Sequence, residues 1–207
     1  MPGCLGCGVA ALRLRAMKYE VEQKFPVADL ADVQSRLTEL GAAISPPHEE
    51  WDLYFVHPVR NFAQTDEALR IRRKKDFYAI TYKGPKIDQT TKTRREIELP
   101  LGDTAEVALQ WVELLKALGF SPLAEVRKLR CKAWVKWDNR QVEVSLDRVE
   151  QLGAFVELEL VVEPAELEEA KAVVASLAER LGLRHSERRS YLELLLAGRP
   201  ADGQNES

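Results

Sequence analysis

The chain has 207 residues, of which 45% are hydrophobic and 30% are charged, a globular balance that excludes a disordered or collagen-like protein. The chain has 30 Lys and Arg residues and 33 Asp and Glu residues, which gives a net charge of −3. Such a chain has no overall positive potential to attract the phosphate backbone of a nucleic acid, and we expect no nucleic-acid partner. No apolar run approaches the ~20 residues of a membrane span, and we expect no membrane partner. The three cysteines are too few and too unevenly placed for a disulfide framework, which favours a cytoplasmic protein.

The two ends of the chain differ in composition from the part between them. The first 16 residues are rich in Gly, Ala and Leu, and their positive charges follow the apolar stretch, whereas a secretory signal places positive charge before it. Two cysteines there make only half of a zinc-type pattern, which needs four ligands. We predict that residues 1–16 are a disordered extension, or that translation starts at Met17. Residues 17–198 then form one domain, followed by a disordered polar tail at 199–207.

In the first half of the chain, alternating polar and apolar residues predict strands, and apolar residues three or four apart predict helices. In chain order we expect a strand at Lys18–Phe25, a helix at Asp29–Leu40 that stops at Gly41, and strands at Trp51–His57, Ala68–Lys74, Phe77–Lys83 and Thr93–Leu99. Asp103 is then expected to cap a second helix that ends at Gly119.

The second half of the chain repeats these patterns. It predicts strands at Val126–Trp137, Gln141–Val149 and Phe155–Val162, a helix from Pro164 to Gly182, and a short helix at Ser190–Leu196. Asn139 lies near the turn between the first two of these strands and indicates a hairpin. The order of elements predicts one α+β domain dominated by an antiparallel sheet.

One face of the predicted strands is almost entirely charged, whereas the opposite face is apolar. Solvated strand faces usually include Thr, Ser, Gln and Asn, yet seven strands here carry formal charges at nearly every polar position. The acidic positions are Glu20, Glu22, Glu96, Glu98, Glu143, Asp147, Glu157 and Glu159, and the basic positions are Lys24, Arg70, Arg72, Lys83, Arg94, Lys128, Arg130 and Lys132. An ordinary sheet with one solvated face is the alternative interpretation.

The charges also segregate by strand. Acids occur two residues apart at Glu157 and Glu159, and bases do so at Arg70 and Arg72. Carboxylates on one strand face can converge on a hard divalent cation such as Mg²⁺ or Mn²⁺, and clustered Arg and Lys bind phosphate oxygens. A strongly curved sheet would bring both sets around one cavity, with helices on its apolar outside. The pattern therefore favours a metal ion together with a polyphosphate.

An ordered set of motifs runs from about Lys18 to Leu196. The opening strand carries Glu20-Val-Glu-Gln-Lys24, an ExExK pattern. It is followed by Asp52-Leu-Tyr54, Leu69-Arg-Ile-Arg-Arg73, Tyr82-Lys-Gly-Pro85, Arg95-Glu-Ile-Glu98, Val126-Arg-Lys-Leu-Arg130, Leu146-Asp147, Phe155-Val-Glu-Leu-Glu159 and Arg189-Ser-Tyr191. This set resembles the CYTH superfamily of triphosphate tunnel metalloenzymes, which includes class IV adenylate cyclases, thiamine triphosphatases and inorganic triphosphatases.

The resemblance implies an α+β fold in which eight antiparallel strands close into a β tunnel with a charged lumen and helices packed on the outside. It implies a Mg²⁺ or Mn²⁺ cofactor held by Glu20, Glu22, Glu157 and Glu159. It implies that a triphosphate is bound by Lys24, Arg70, Arg72, Lys83, Lys128 and Arg130. On the same grounds, the catalytic residues are expected to be Glu20, Glu22, Lys24 and Asp147.

Two reactions on a triphosphate agree with the resemblance. The motifs look most like class IV adenylate cyclases, which convert ATP to cyclic AMP and pyrophosphate. The pair Glu96 and Glu98 is nearer to the triphosphatases, which would hydrolyse tripolyphosphate or thiamine triphosphate. A third alternative is a non-catalytic polyphosphate- or nucleotide-binding module, which would keep the bases and lose the metal-binding acids. The expected partner is therefore a small-molecule triphosphate, and a homodimer is a further expectation.

Overall fold

The computed structural model describes residues 19–86 and 93–198. The predicted disordered extension at 1–16, the alternative start at Met17 and the predicted tail at 199–207 lie outside these residues. Within the two described ranges, no helix is long and apolar enough to cross a membrane.

Eight strands form a closed barrel. They are β1 (Tyr19–Val27), β2 (His48–Val56), β3 (Ala68–Lys74), β4 (Phe77–Lys86), β5 (Arg94–Gly102), β6 (Ser121–Trp137), β7 (Arg140–Val149) and β8 (Gly153–Val162). The strand order is β1-β5-β4-β3-β2-β6-β7-β8, and β8 pairs with β1 to close the ring. Every one of these pairs is antiparallel. The predicted eight-stranded antiparallel barrel is thus confirmed.

The helices lie outside the barrel, as predicted. They are α1 (Ala31–Glu39), α2 (Phe62–Thr65), α3 (Ala105–Ala117), α4 (Leu167–Arg180) and α5 (Tyr191–Ala197), with a 3₁₀ turn at Pro164–Glu166 before α4. The short helix α2 was not predicted from the sequence. It begins after Asn61, whose side-chain oxygen accepts hydrogen bonds from the amides of Ala63 and Gln64 at 3.1 and 3.3 Å.

Several predicted boundaries shift in the structure, and two of the shifts concern the segment around α3. The prediction that Asp103 caps α3 is wrong by one residue: Thr104 has the extended backbone that a capping residue needs, and its hydroxyl accepts a hydrogen bond from the Val107 amide at 3.4 Å. Strand β6 begins at Ser121, before the predicted Val126. The proline that follows Ser121 is tolerated because it lies at the strand end, next to a register shift in the β2 pairing.

The apolar strand faces point outward and pack beneath the helices. Leu37 of α1 and Leu177 of α4 are fully buried in one cluster with the outward side chains of β1, β7 and β8. Burying each such side chain contributes about 1.5–3 kcal/mol to folding. On β5 the helical cover is incomplete, and Ile97 and Leu99 are 39% and 55% exposed. Because the apolar residues face outward, strand alternation turns the charged residues into the lumen.

The hairpin between β6 and β7 sets the register of the lumen. Asp138 and Asn139 form its two-residue turn, and both have positive φ, at 43° and 59°, as a tight hairpin turn of type I′ requires. The predicted hairpin is therefore confirmed. Counting back from this turn, Arg130 lies directly opposite Asp147.

Candidate functional site

The charged strand faces line a cavity of about 600 Å³ inside the barrel. The predicted site residues that line it are Glu20, Glu22, Lys24, Arg70, Arg72, Lys83, Lys128, Arg130, Glu157 and Glu159. Asp147 does not line the cavity; it is fully buried beside it, 3.6 Å from Lys128. The structure therefore brings the predicted metal-binding acids and phosphate-binding bases together around one space.

Arg130 joins two acids on neighbouring strands. Its Nε and Nη2 donate to the two carboxylate oxygens of Asp147 at 2.6 and 2.5 Å, and Nη2 also donates to Glu157 Oε2 at 2.5 Å. The Tyr191 hydroxyl donates to the same Asp147 carboxylate at 2.8 Å. Both oxygens of Asp147 are therefore engaged, and its geometry is that of a residue that holds Arg130. The predicted catalytic role of Asp147 stays a prediction.

Two buried acids, Glu50 and Asp52, are absent from the predicted charged face, although Asp52 belongs to one of the motifs named above. Arg72 donates to Asp52 from Nε and Nη2 at 2.6 and 2.7 Å, and Arg70 Nη1 lies 3.3 Å from Asp52 Oδ2. Burial alone would raise the pKa of Asp52, but Arg72 and Arg70 hold that pKa well below its usual range. The sequence contains a signal for both acids, because Glu50, Asp52 and Tyr54 are two residues apart and therefore share one face of a strand. The predicted strand begins at Trp51, one residue too late to include Glu50.

Glu50 is placed among three cations at the centre of the basic side. Its Oε2 lies 3.2 Å from Lys128 Nζ, 3.4 Å from Arg72 Nη1 and 4.0 Å from Arg130 Nη1. These cations hold the pKa of Glu50 far below its usual range despite its burial. Burial, together with the charge of Arg130, lowers the pKa of Lys128. Glu50 thus offsets part of the repulsion among bases that crowd one wall of the cavity.

Arg70 has a hydrogen-bond donor that finds no partner within the described part of the chain. It is 7% exposed and lines the cavity, and its Nε finds no acceptor among the described residues. Its Nη1 makes only long contacts, at 3.3 Å to Asp52 and 3.4 Å to Tyr54. Leaving a buried charged donor unsatisfied is costly. An anion in the cavity would supply the missing acceptor.

Lys24 faces the last described helix. It is 1% exposed, and its Nζ donates to the backbone carbonyl of Arg189 at 2.5 Å. The same ammonium lies 4.0 Å from the centre of the Tyr191 ring. The Arg189 side chain instead forms an ion pair with Glu187.

Acidic side chains gather on the opposite wall. Glu22 on β1 and Glu143 on β7 are both direct cross-strand neighbours of Glu159 on β8. Burial and the charges of Glu143 and Glu22 raise the pKa of Glu159 to about 7. Burial also raises the pKa of Glu20, and the negative charge of Glu159 raises it further. The Lys83 ammonium, 4.0 Å from Glu20 Oε1, lowers the same pKa but does not cancel the increase. Lys83 is shared with Glu96, with which it forms an ion pair.

These acids fit a divalent cation by their chemistry. Glu20, Glu22 and Glu159 offer carboxylate oxygens, the ligands that Mg²⁺ and Mn²⁺ prefer, and their mutual repulsion would be relieved by a cation between them. Glu157, the fourth predicted ligand, is hydrogen-bonded to Arg130. Within residues 19–86 and 93–198, no three acidic, His or Cys side chains already converge as a metal site, so an ion would have to draw these carboxylates together.

One end of the cavity has apolar walls. Phe62 of α2, Leu123 of β6, and Leu192 and Leu196 of α5 line the same space as the charged residues. Lys86 links the elements at this end, with its Nζ 2.8 Å from Asp66, the residue that ends α2, and 3.8 Å from Glu193 of α5. The cavity therefore combines a charged interior with an apolar region.

Comparison with known proteins places this geometry in a family. Residues 18–191 match the model of the CYTH domain. The chain is 38% identical over 180 residues to a Methanocaldococcus jannaschii protein named "Putative adenylate cyclase MJ0240", covering 84% of this chain and 97% of that protein.

Solved structures agree with the family match. The PH1819 protein of Pyrococcus horikoshii is 40% identical with a TM-score of 0.76, covering 87% of this chain and 99% of that one. A conserved hypothetical protein of Pyrococcus furiosus is 31% identical with a TM-score of 0.69, and the match covers 84% of this chain and 99% of that protein. The resemblance drawn from the motifs is confirmed, and the chain belongs to the CYTH domain family.

Proposed function

We propose that the cavity binds a triphosphate together with a divalent cation and promotes attack on one of its phosphorus atoms. The observation that carries this proposal is Arg70, a buried cation in the cavity wall whose Nε has no acceptor among the described residues. Lys24, Lys83 and Lys128 line the same cavity. Phosphate oxygens are charged acceptors that satisfy such donors strongly.

The balance of charge supports a triphosphate with a metal ion. A triphosphate carries about four negative charges near neutral pH, and a divalent cation offsets two of them. The basic wall formed by Arg70, Arg72, Lys128 and Arg130 carries more positive charge than its three carboxylates, Glu50, Asp52 and Asp147, offset, and would neutralise part of the remainder. Glu20, Glu22 and Glu159 would hold the cation. When bound, that cation would offset charge on the phosphoryl oxygens and make phosphorus more electrophilic.

Adenylate cyclase activity is the reaction that we propose first. In this reaction the ribose 3′-oxygen of ATP attacks the α-phosphorus, and pyrophosphate leaves. The apolar walls formed by Phe62, Leu123, Leu192 and Leu196 support it, because a nucleoside needs apolar surface beside the charged tunnel. The cations of the chain would bind and orient the triphosphate and stabilise the charge that develops on the leaving pyrophosphate.

Triphosphatase activity is the second candidate. Here water attacks the terminal phosphorus of tripolyphosphate or thiamine triphosphate. Glu96 and Glu98, the pair in which the motifs resemble the triphosphatases more than the cyclases, both line the cavity. Glu96 pairs with Lys83, and Glu98 accepts a hydrogen bond from the Thr81 hydroxyl at 3.0 Å. Both acids thus lie where they could act on a bound phosphate chain.

One experiment separates these activities. The purified protein is incubated with Mg²⁺ and either ATP or tripolyphosphate, and cyclic AMP, pyrophosphate and phosphate are measured separately. Cyclic AMP with an equal amount of pyrophosphate supports the cyclase, and phosphate release from tripolyphosphate supports the hydrolase. The variant Glu22→Gln controls for contaminating enzymes. Binding of tripolyphosphate without metal and without turnover would instead indicate a non-catalytic module.

A further inference from the structure

Tyr191 contacts the predicted phosphate-binding cations in two different ways. Its ring face lies 4.0 Å from Lys24 Nζ and 5.3 Å from Lys128 Nζ, measured to the ring centre. Its hydroxyl donates at 2.8 Å to Asp147, which in turn binds Arg130 through both carboxylate oxygens. One aromatic side chain therefore touches two cations directly and a third through one carboxylate.

The start of α5 fixes the position of this ring. The Ser190 hydroxyl accepts a hydrogen bond from the Glu193 amide at 3.1 Å, and the Glu193 carboxylate accepts one from the Ser190 amide at 2.6 Å. This reciprocal cap defines the first turn of the helix, where Tyr191 lies. The ring is 7% exposed and packs edge-on against Phe155, with the ring centres 5.1 Å apart.

Lysine needs such support to act as a fixed phosphate ligand. Its four-carbon stem is flexible, and holding its ammonium in one place costs conformational entropy. The ring and the Arg189 carbonyl hold Lys24 Nζ. Without the ring, one of these two contacts would be lost, and the Lys24 ammonium could leave the position from which it faces the cavity.

We propose that Tyr191 is a positioning residue of the triphosphate site, holding Lys24 and Lys128 on its ring and Arg130 through Asp147. The last described helix, α5, is then part of the site as well as a cover on the barrel. This inference rests on the triphosphate binding proposed above.

The test measures tripolyphosphate binding by titration calorimetry with Mg²⁺ in four proteins. Tyr191→Leu removes the π face, and we expect the Kd to rise by about tenfold or more, as for a desolvated cation–π contact. Tyr191→Phe keeps the ring and removes only the hydroxyl. We expect a rise of less than about threefold, because Asp147 still holds Arg130 through both of its oxygens. Leu195→Ala is the matched control, since Leu195 is buried on the same helix and does not line the cavity. It should lower the melting temperature and leave the Kd within about threefold of the wild type.

A double-mutant cycle separates positioning from a structural effect. In a Lys24→Met background, Tyr191→Leu should raise the Kd by less than about threefold, because the nearer of its two cations is already gone. An undiminished effect in that background, or an equal loss in Leu195→Ala, would overturn the role of the ring. If Tyr191→Leu does not fold, the flexible apolar variant Tyr191→Met takes its place with the same expectations. Absence of binding by the wild type would overturn the proposed function, whereas wild-type binding that Tyr191→Leu leaves unchanged would overturn this inference alone.

Discussion

Arg130 and Asp147 form a two-pronged ion pair inside the barrel, with donor-to-acceptor distances of 2.6 and 2.5 Å and no exposed surface on the carboxylate. The pair links β6 to β7, and the Tyr191 hydroxyl ties α5 to the same carboxylate. Arg130 also reaches Glu157 on β8. Three strands and one helix are thus joined through a single guanidinium and its acid.

We expect Asp147→Asn to destabilise the protein strongly. Removing one partner of a buried ion pair leaves the other charge uncompensated, which costs about 3–5 kcal/mol. Asp147 also faces Lys128 at 3.6 Å, so a second cation loses its counter-charge. The free energy of unfolding is measured by urea denaturation. Asp103→Asn, at an exposed position before α3, is the control and should change it by less than about 0.5 kcal/mol.

The pairing of Arg130 with Asp147 could have been predicted from the sequence, whereas the contact with Tyr191 could not. A two-residue turn at Asp138 and Asn139 fixes the register of its hairpin, and counting back from it places the two partners opposite each other. Tyr191 reaches Asp147 from 44 positions along the chain. Its placement depends on how α5 packs on the finished barrel, and no local pattern in the chain encodes that packing.

The other lumen residues likewise divide into features that the local sequence predicts and contacts that depend on the closed barrel. Strand alternation correctly assigned the acids of β1 and β8 and the bases of β3 and β6 to one face. It did not show which acid meets which base, because strands β1 and β5 become neighbours only when the barrel closes. The proximity of Lys83 to Glu20, on strands far apart in the chain, is a product of that closure.

We expect Arg70→Ala to weaken triphosphate binding by about 2–5 kcal/mol, the range found when one member of a buried charge pair is removed. Arg70 suits this test better than Arg130, because its contacts to Asp52 and Tyr54 are long and its loss disturbs the fold less. Calorimetric titration with tripolyphosphate and Mg²⁺ measures the change. Arg36→Ala, at an exposed position on α1, should leave affinity unchanged. Equal small effects at both positions would contradict the assignment of the basic wall to phosphate binding.

We expect Glu22→Gln and Glu157→Gln each to reduce turnover by about 100-fold or more, because each replaces a predicted metal-binding carboxylate by a neutral amide of the same size. Their effects on stability should differ. Glu157→Gln weakens a contact to Arg130 and should lower the melting temperature, whereas Glu22→Gln removes one charge from beside Glu159 and should not. Near wild-type activity of either variant at saturating Mg²⁺ would show that its carboxylate is not a metal ligand. Glu39→Gln, on the exposed side of α1, is the control.

Glu159 should make the metal-free protein less stable as the pH rises toward neutrality. Burial, Glu143 and Glu22 raise its pKa to about 7, from an ordinary value of 4.5. Between these two values the folded protein holds a proton that the unfolded chain has released, so the stabilisation is full below about pH 4.5 and is lost as the pH passes about 7. We therefore expect the wild type in chelator to melt several degrees lower at about pH 8 than at about pH 5, since about 1 kcal/mol shifts the melting temperature by about 2–4 °C at this size.

The variant Glu159→Gln isolates this carboxyl group from the other titrating groups of the barrel. It lacks the titrating proton, so its melting temperature should fall less over the same pH interval and should exceed that of the wild type at about pH 8. Adding Mg²⁺ at that pH should stabilise the wild type more than the variant, because a cation between Glu159, Glu22 and Glu20 offsets a repulsion that glutamine has already reduced. Parallel pH profiles for the two proteins in chelator would mean that Glu159 titrates at its ordinary pKa, and the acids of this wall would then repel one another too weakly to favour a divalent cation.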